Sequence, residues 1–377
     1  MVRDGRRDPV ESAAGDDVDL YDVATWEPRT RLDRLSVGVY RWLGRLTRWI
    51  VVLLALVILV AQFALTGLAA LTNPFIGVFI LLSVVPALLL AAYVWRTDVT
   101  MHEPLGLLVG TFLLGVLFAS FAAVLNTLAQ DAFRVLPVVG MALFFYLVVG
   151  PVEETVKWLA IRLYAYRDDR FHAVIDGAVY GAMAGLGFAT IENTIYIGQQ
   201  YLTALQAGAG GSPVFGAALP TAFVRSFAGP GHVIYSAFAG YYLGLAKFNP
   251  ENAGPIAVKG LLIAAFIHGT YNTVVTYMGP VSRLLGIALP SFLLFLGFVV
   301  LYDGVLLLVL FRKLSRYRSA YRESNAAGVA EADEAGVAGR ETSTGDDTDD
   351  EPDAPTAAQE DPASSNTFEW ADEQDRP

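Results

Sequence analysis

The chain has 377 residues, of which 54% are hydrophobic, and its formal net charge is −11. A soluble globular protein seldom reaches this apolar content, and the apolar residues gather in long runs almost free of charge. Because the chain contains no cysteine, disulfides, thiolate metal sites and cysteine nucleophiles are excluded.

The negative charge lies at the two ends of the chain. Residues 1–34 hold 9 acids and 6 bases, residues 323–377 hold 17 acids and 2 bases, and the middle has an excess of bases. The net charge therefore does not indicate a cationic substrate. The acidic ends, together with 4 lysines against 22 arginines, are typical of a salt-adapted (halophile) protein.

Three regions follow from this distribution. Residues 1–48 are predicted to be an acidic, polar and then basic cytoplasmic segment; it is no cleavable signal peptide, since about 35 polar residues precede any apolar run. Residues 49–312 are predicted to be the membrane domain, with the candidate active-site helices at 135–279. Residues 313–377 are predicted to be a basic juxtamembrane stretch and then a disordered acidic tail.

Eight apolar stretches are long enough to cross a hydrocarbon core of about 30 Å. They predict an all-α, polytopic membrane protein with about eight transmembrane helices. The predicted spans are 50–72, 75–95, 105–129, 135–161, 173–200, 218–246, 256–279 and 289–311.

Lysine and arginine gather in alternate loops, which predicts the orientation of the chain. Arg41, Arg45 and Arg48 precede the first span, whereas the loops on the opposite side carry at most one base each, such as Arg134 and Arg283. Both termini are therefore predicted to be cytoplasmic, in a multi-pass protein of the cell membrane.

Few ionisable residues lie inside the spans, and all but one of them fall in spans four to seven. Such groups are costly at membrane depth, so they usually face the bundle interior and mark function. The set is Glu153, Glu154, Lys157, Asp176, Glu192, Arg225, His232, His268 and Asp303, with the amides Asn193 and Asn272.

The stretch GPVEETVKWL brings three charges together. On a helix, Lys157 can reach Glu153 at i−4 and Glu154 at i−3. Two adjacent carboxylates in a dry setting cannot both be ionised at low cost, so the pair suits a base beside a neutral acid. Gly150-Pro151 is predicted to interrupt the helix just before them. The alternative is a charge cluster at the membrane interface.

Glu192 shares a helix face with Gly181 and Gly185, on a stripe of small residues that begins at Gly177. It is therefore predicted to point at a neighbouring helix, either as a functional group or as a structural hydrogen-bonding group. Asp176 is interpreted as a residue at the membrane boundary.

His232 follows Gly-Pro-Gly, which predicts a second helix break, and His268 has Asn272 at i+4. A lone histidine in a membrane helix is more often structural than catalytic, but two of them beside two glutamate helices favour function. Arg225 is interpreted either as an anion partner or as a residue near the outer helix end.

Two glutamates and two histidines, without a serine elbow or a cysteine, favour activation of water over acyl-enzyme chemistry. No cofactor is expected. A divalent metal such as zinc is the alternative, because glutamate and neutral histidine are good zinc ligands although the HExxH spacing is absent.

The motifs GPVEETVKWL, DGAVYGAMAGLGFATIEN, GPGHVIYSAFAGYYLG and FIHGTYNT, in this order, resemble the PrsW family of membrane proteases, which is related to the CAAX prenyl protease and bacteriocin-processing group. The resemblance covers roughly residues 75–311. It implies a membrane-embedded endopeptidase that cleaves a membrane-anchored protein. By this resemblance, eight residues correspond to the family's motifs: Glu153, Glu154, Lys157, Phe188, Glu192, Asn193, His232 and His268.

The predicted roles are Glu153 as general base on water, with Glu154 sharing a proton and Lys157 tuning the pair. His232 and His268 would supply the acid or the oxyanion site, and Glu192 with Asn193 would position water or substrate. The rival interpretations are a proton- or cation-coupled transporter or channel that uses the same intramembrane groups, and a non-catalytic membrane scaffold. Nothing predicts binding to nucleic acid.

Overall fold

The computed structural model describes residues 19, 21, 27–98, 100, 103–208, 212 and 214–341, and that part of the chain is helical, without a strand. The acidic tail after residue 341, predicted to be disordered, lies outside the described residues. The chain divides into two units, Met1–Ala320 and Tyr321–Pro377, and all the site residues described below belong to the first.

The helices are α1 (Arg31–Thr72), α2 (Pro74–Arg96), α3 (Leu105–Arg134), α4 (Gly140–Phe144), α5 (Gly150–Leu163), α6 (Val174–Gln206), α7 (Leu219–Lys247), α8 (Ala253–Leu284) and α9 (Ser291–Glu341).

Five helical segments of the described chain are long and apolar enough to cross a membrane, which makes this a multi-pass membrane protein. They are Pro74–Arg96, Leu105–Arg134, Val174–Gln206, Pro250–Leu284 and Ser291–Ser324. The predicted spans 50–72 and 218–246 lie in α1 and α7 but are not among these five segments. The predicted span 135–161 begins with a turn at 135–139 and is divided into α4, a π-helical segment and α5, each too short to count. The count of eight stays a prediction.

The predicted interruption at Gly150-Pro151 is present. A π-helical segment, Phe145–Val149, separates α4 from α5, and α5 starts with Gly150 and has Pro151 in its first turn. Proline suits this position because its missing N–H has no partner there in any case. Glu153 therefore stands in the first turn of a helix and Glu154 follows it, shortly after an irregular turn of a kind common at functional sites.

The break predicted at Gly-Pro-Gly before His232 is wrong. α7 runs without interruption from Leu219 to Lys247 and contains Pro230. Proline removes one backbone hydrogen bond, but membrane helices tolerate that loss when neighbouring helices pack around it. The residues after Pro230, from Gly231 to Gly240, are buried against such neighbours.

The glycine stripe of α6 packs against α7. A Cβ added at Gly181 would lie 2.2 Å from the carbonyl oxygen of Ser236, and one at Gly185 would lie 2.4 Å from that of His232. Gly177 meets α7 in the same way. Only glycine allows two backbones to approach this closely, so the stripe sets the distance between the helices that carry Glu192 and His232.

We expect Gly181→Ala to lower the free energy of unfolding by about 1–3 kcal/mol, because the new methyl group overlaps a backbone oxygen that cannot move alone. Gly297→Ala in α9 is the matched control, since no atom lies within 4 Å of its added Cβ. The control should be neutral or stabilising by up to about 1 kcal/mol. Thermal unfolding in detergent micelles measures both, and equal shifts for the two variants would contradict the packing argument.

Candidate active site

A cavity of about 1180 Å³ lies among the helices, and its wall includes residues of α1, α3 and α5 to α9. Glu153, Glu192, His232 and His268 line it, as does Arg225. The other predicted site residues, Glu154, Lys157 and Asn193, are buried and are not part of the wall. The predicted set is thus brought together but in two layers: one faces the cavity and the other supports it.

Glu153 is held at one oxygen only. Its Oε1 accepts a hydrogen bond of 2.9 Å from Asn126 Nδ2. Its Oε2 is buried without a hydrogen-bond partner among the described residues and lies 3.6 Å from His268 Nε2. Asn126, in α3, was not singled out from the sequence; the signal was an amide inside an otherwise apolar span.

Glu154 has partners at both oxygens. Oε1 is 2.7 Å from Lys157 Nζ and 2.9 Å from His268 Nδ1, and Oε2 accepts from Ser236 Oγ at 3.3 Å. The sequence allowed Lys157 to reach either glutamate; the structure pairs it with Glu154. The two adjacent carboxylates therefore differ: Glu154 is fully bonded behind the wall, and Glu153 has a free oxygen at the cavity.

Lys157 also determines how the His232 ring is protonated. Its Nζ is 2.9 Å from His232 Nδ1, and its charge is balanced by Glu154, with both side chains fully buried. If the ammonium donates to Nδ1, the ring proton of neutral His232 must sit on Nε2. From there it donates to Glu192 Oε2, 2.6 Å away.

His268 has the opposite tautomer. Its Nδ1 faces the Glu154 carboxylate, which can only accept while ionised, so Nδ1 carries the proton. The lone pair of Nε2 is then directed to the side of Glu153. A histidine that gives one N–H to a carboxylate and offers the other nitrogen is the usual form of a metal-ligating imidazole.

Glu192 is bound by α7 from two sides. Its Oε2 is 2.5 Å from Arg225 Nη2, in addition to its contact with His232. Arg225 Nε donates to Asn193 Oδ1 at 2.9 Å, and Asn193 Nδ2 in turn donates to Ser83 Oγ in α2 at 3.1 Å. Arg225 is thus the anion partner of Glu192, which was one of its two interpretations, and Asn193 holds that partner in place.

Two further acids from the spans lie outside this network. Asp176 stands in the first turn of α6, where it accepts from the backbone N–H groups of His172 and Ala173, as a boundary residue does. Asp303 in α9 accepts from the hydroxyl of Tyr235 at 3.0 Å. The Tyr235 ring lies 5.5 Å from that of His268, so Tyr235 links Asp303 to the site.

The residues at the cavity fit a divalent metal. Glu153, His232 and His268 each offer one ligand atom, and these atoms all lie within 4.8 Å of one another. The unpartnered Oε2 of Glu153 and the lone pair on His268 Nε2 are the donors such an ion requires, and oxygen and nitrogen donors in this combination are typical of zinc. For His232 to bind the ion through Nε2 as a neutral ring, its proton must move from Nε2 to Nδ1, and Nδ1 then no longer accepts from Lys157.

Comparison with known proteins agrees with these motifs. Residues 103–305 match the family described as PrsW family intramembrane metalloprotease. Proteins named Protease PrsW are similar: that of Shouchella clausii (strain KSM-K16) is 28% identical over 53% of this chain and 84% of its own length. That of Geobacillus kaustophilus (strain HTA426) is 30% identical over 50% and 76%. No solved structure matches the chain.

The family match covers more than half of the chain and contains every residue of the cavity-facing and supporting layers named in the motifs. The resemblance seen in the sequence is therefore confirmed, and the transporter interpretation is not favoured. The chain belongs to the PrsW family of membrane-embedded proteases.

Proposed function

We propose that this protease hydrolyses a peptide bond of a membrane-anchored protein with water activated at the wall formed by Glu153, Glu192, His232 and His268. The observation that carries the proposal is that these four residues, from four helices, meet on one cavity in a membrane bundle. A cavity of about 1180 Å³ has room for an extended peptide segment as well as water.

Glu153, His232 and His268 are the residues that we propose to hold a divalent metal such as zinc. The donor set, the free oxygen of Glu153 and the tautomer of His268 support this, as does the description of the family as metalloproteases. When bound, such an ion polarises a carbonyl oxygen and activates water. The metal-free mechanism, with Glu153 as the base and the histidines as acid or oxyanion site, is the alternative.

Glu192 is the carboxylate that we assign to the proton of the attacking water. Its side chain is 19% exposed, compared with 5% for Glu153, and Arg225 balances its charge. As the water oxygen bonds to the peptide carbon, Glu192 accepts the proton and then gives it to the leaving nitrogen when the C–N bond breaks. Asn193 and Arg225 position this carboxylate, and Glu154 and Lys157 position the two imidazoles.

Eight spans with both termini in the cytoplasm complete the proposal. Seven of the predicted spans lie almost entirely within one helix, the eighth, 135–161, contains α4, a π-helical segment and most of α5, and the bases cluster on alternate loops. In this arrangement the loop between α7 and α8 is cytoplasmic, and the loop between α8 and α9 is on the opposite side.

The orientation can be tested directly because the chain has no cysteine of its own. We expect a membrane-impermeant maleimide to label Ile287→Cys in intact cells and to label Asn249→Cys only after permeabilisation. Both positions lie in loops at opposite ends of α8. Labelling of Asn249→Cys in intact cells would contradict the predicted orientation.

Glu153→Gln and Glu192→Gln should separate the two assigned roles. We expect Glu153→Gln to lose both bound zinc and cleavage. Glu192→Gln should keep its zinc while cleavage falls by roughly 10²- to 10⁴-fold, the usual contribution of a general base. Bound zinc is measured by elemental analysis of the purified chain, and cleavage with co-expressed single-span membrane proteins in native membranes.

Glu251→Gln, an exposed glutamate in the turn before α8, is the matched control and should change neither quantity. If wild type holds no zinc and cleavage survives a chelator, the metal-free mechanism replaces the metal-dependent one. If Glu153→Gln and Glu192→Gln both cleave like wild type, neither mechanism stands.

Glu154→Gln tests a positioning role. The amide cannot accept from His268 as a carboxylate does, so we expect zinc affinity to fall by roughly 10- to 100-fold. Cleavage should then recover as zinc is added. It would not recover if the substitution had unfolded the protein or removed a reacting group. A variant that stays inactive at saturating bound zinc would assign Glu154 to the reaction itself.

A further inference from the structure

A second cluster of carboxylates lies outside the cavity wall. Asp98 follows α2, Glu103 precedes α3, and Asp176 stands in the first turn of α6. One carboxylate oxygen from each lies within 4.8 Å of the others. The three residues come from separate parts of the chain, and none of them has a role in the proposed hydrolysis.

While the three carboxylates are ionised, several buried oxygens of the cluster accept no hydrogen bond from any group of the described chain. Both carboxylate oxygens of Glu103 and Oδ2 of Asp98 are buried without a hydrogen-bond partner there, and Glu103 is only 3% exposed. Burial, and next the adjacent Asp98 carboxylate, raise the pKa of Glu103 to about 9. An acid in such a position costs free energy unless a cation or a proton neutralises it.

Neighbouring groups hold the other two carboxylates in fixed positions. Asp176 Oδ2 accepts from the N–H groups of His172 and Ala173 at 2.8 and 3.0 Å, and His172 Nδ1 lies 3.1 Å from it. Thr100 donates its N–H and hydroxyl to Asp98 Oδ1, both at 2.8 Å. Oδ2 of Asp98 is thereby left for another ligand, and Asp176 Oδ1 accepts a long hydrogen bond of 3.4 Å from Thr100 Oγ1.

No lysine or arginine of the described residues forms an ion pair with the cluster. Lys247, whose charge acts on Asp176, donates to the carbonyl oxygens of Tyr166 and Asp168. Arg318 donates to the carbonyl oxygen of Thr97. These two bases thus donate to backbone oxygens, and Arg170 nearby pairs with the carboxylate of Asp168.

We propose that Asp98, Glu103 and Asp176 bind a hard divalent cation, Ca²⁺, Mg²⁺ or Mn²⁺, at a site separate from the active site. All the donors are carboxylate oxygens, which these ions prefer and which a zinc site usually combines with nitrogen or sulfur. Oxygens that bind Ca²⁺ at 2.3–2.6 Å lie at most about 5 Å apart, so a spacing within 4.8 Å is compatible with one shared ion.

The bound ion would join the segment between α2 and α3 to the start of α6. α6 carries Glu192, sixteen residues after Asp176, and packs against α7 along its glycine stripe. A cation here would hold the first turn of that helix in place, about 24 Å along the axis from Glu192 at 1.5 Å per residue. Its role is to stabilise the bundle, and no step of hydrolysis requires it.

Mn²⁺ is the probe for the test, because electron paramagnetic resonance distinguishes its free and bound forms. The full-length chain in detergent is stripped with EDTA, dialysed and titrated, as wild type, Glu103→Gln, Glu153→Gln and the double variant. We expect Glu103→Gln to lose one Mn²⁺ per chain, or to bind it at least about tenfold more weakly. Asp131→Asn, which changes an exposed acid at the end of α3, should bind like wild type.

The same preparations are heated with and without CaCl₂, and the rise in melting temperature on adding the ion should be absent in Glu103→Gln. The double variant makes the result independent of the active-site metal, since Glu103→Gln should remove one ion whether or not Glu153→Gln does. Asp98→Asn replaces Glu103→Gln if the latter does not fold. Equal Mn²⁺ binding and equal calcium response in wild type and these variants would overturn the proposal and leave a protonated Glu103 as the neutralising group.

Discussion

The buried ion pair between Lys157 and Glu154 is the interaction on which the geometry of the site depends. Both side chains are fully buried, and each also contacts a histidine: Lys157 binds His232 and Glu154 binds His268. Removing one member of a buried pair leaves an uncompensated charge, typically at a cost of about 3–5 kcal/mol. The pair therefore connects three helices, α5, α7 and α8, and determines which nitrogen of each imidazole carries the proton.

Close packing of α6 and α7 makes a second set of polar contacts possible. Gly181 and Gly185 let the backbones of these helices nearly touch, and Glu192 follows two turns later on α6. At that distance its short side chain reaches both His232 and Arg225 of α7. Larger residues in the stripe would push α6 and α7 apart. The glycines have no reactive side chain, but the contacts of Glu192 with His232 and Arg225 depend on them.

The sequence was sufficient to predict which residues come together, because ionisable groups in a membrane bundle have few stable positions other than its interior. The helices, the interruption at Gly150-Pro151 and the contact of the glycine stripe with a neighbouring helix followed from local patterns, and the structure identifies that helix as α7. The division of the site into a cavity-facing layer and a supporting layer could not be predicted from these patterns. Glu153 and Glu154 are adjacent in sequence, and only the rotation of α5 relative to α3 and α8 decides that Asn126 binds one and His268 the other.

Two failures of sequence reasoning have the same physical cause. Gly-Pro-Gly in α7 was expected to break the helix, and Asn126 was overlooked in an apolar span; in both cases packing by neighbouring helices outweighs the local pattern. Pro230 is accommodated because buried neighbours hold α7 together on both sides of it. Asn126 contacts Glu153 because α3 brings the two side chains together, although they are 27 positions apart in the sequence.

The number of hydrogen-bond partners of each buried carboxylate distinguishes the supporting residues from the residues at the cavity. Glu154 has a partner at each oxygen and is closed to any further ligand, whereas Glu153 keeps one oxygen free beside His268. Asp176, by contrast, is held at one oxygen by the start of α6 while Glu103, in the same cluster, has no partner at either. Among the described residues, buried carboxylate oxygens without a partner occur at Glu153, Asp98 and Glu103, which belong to groups of donors that could share a cation, and at Asp303, which does not. An unpartnered oxygen therefore supports a cation site only where further donors surround it, as they do at the proposed active-site metal and at the proposed cation site at the start of α6.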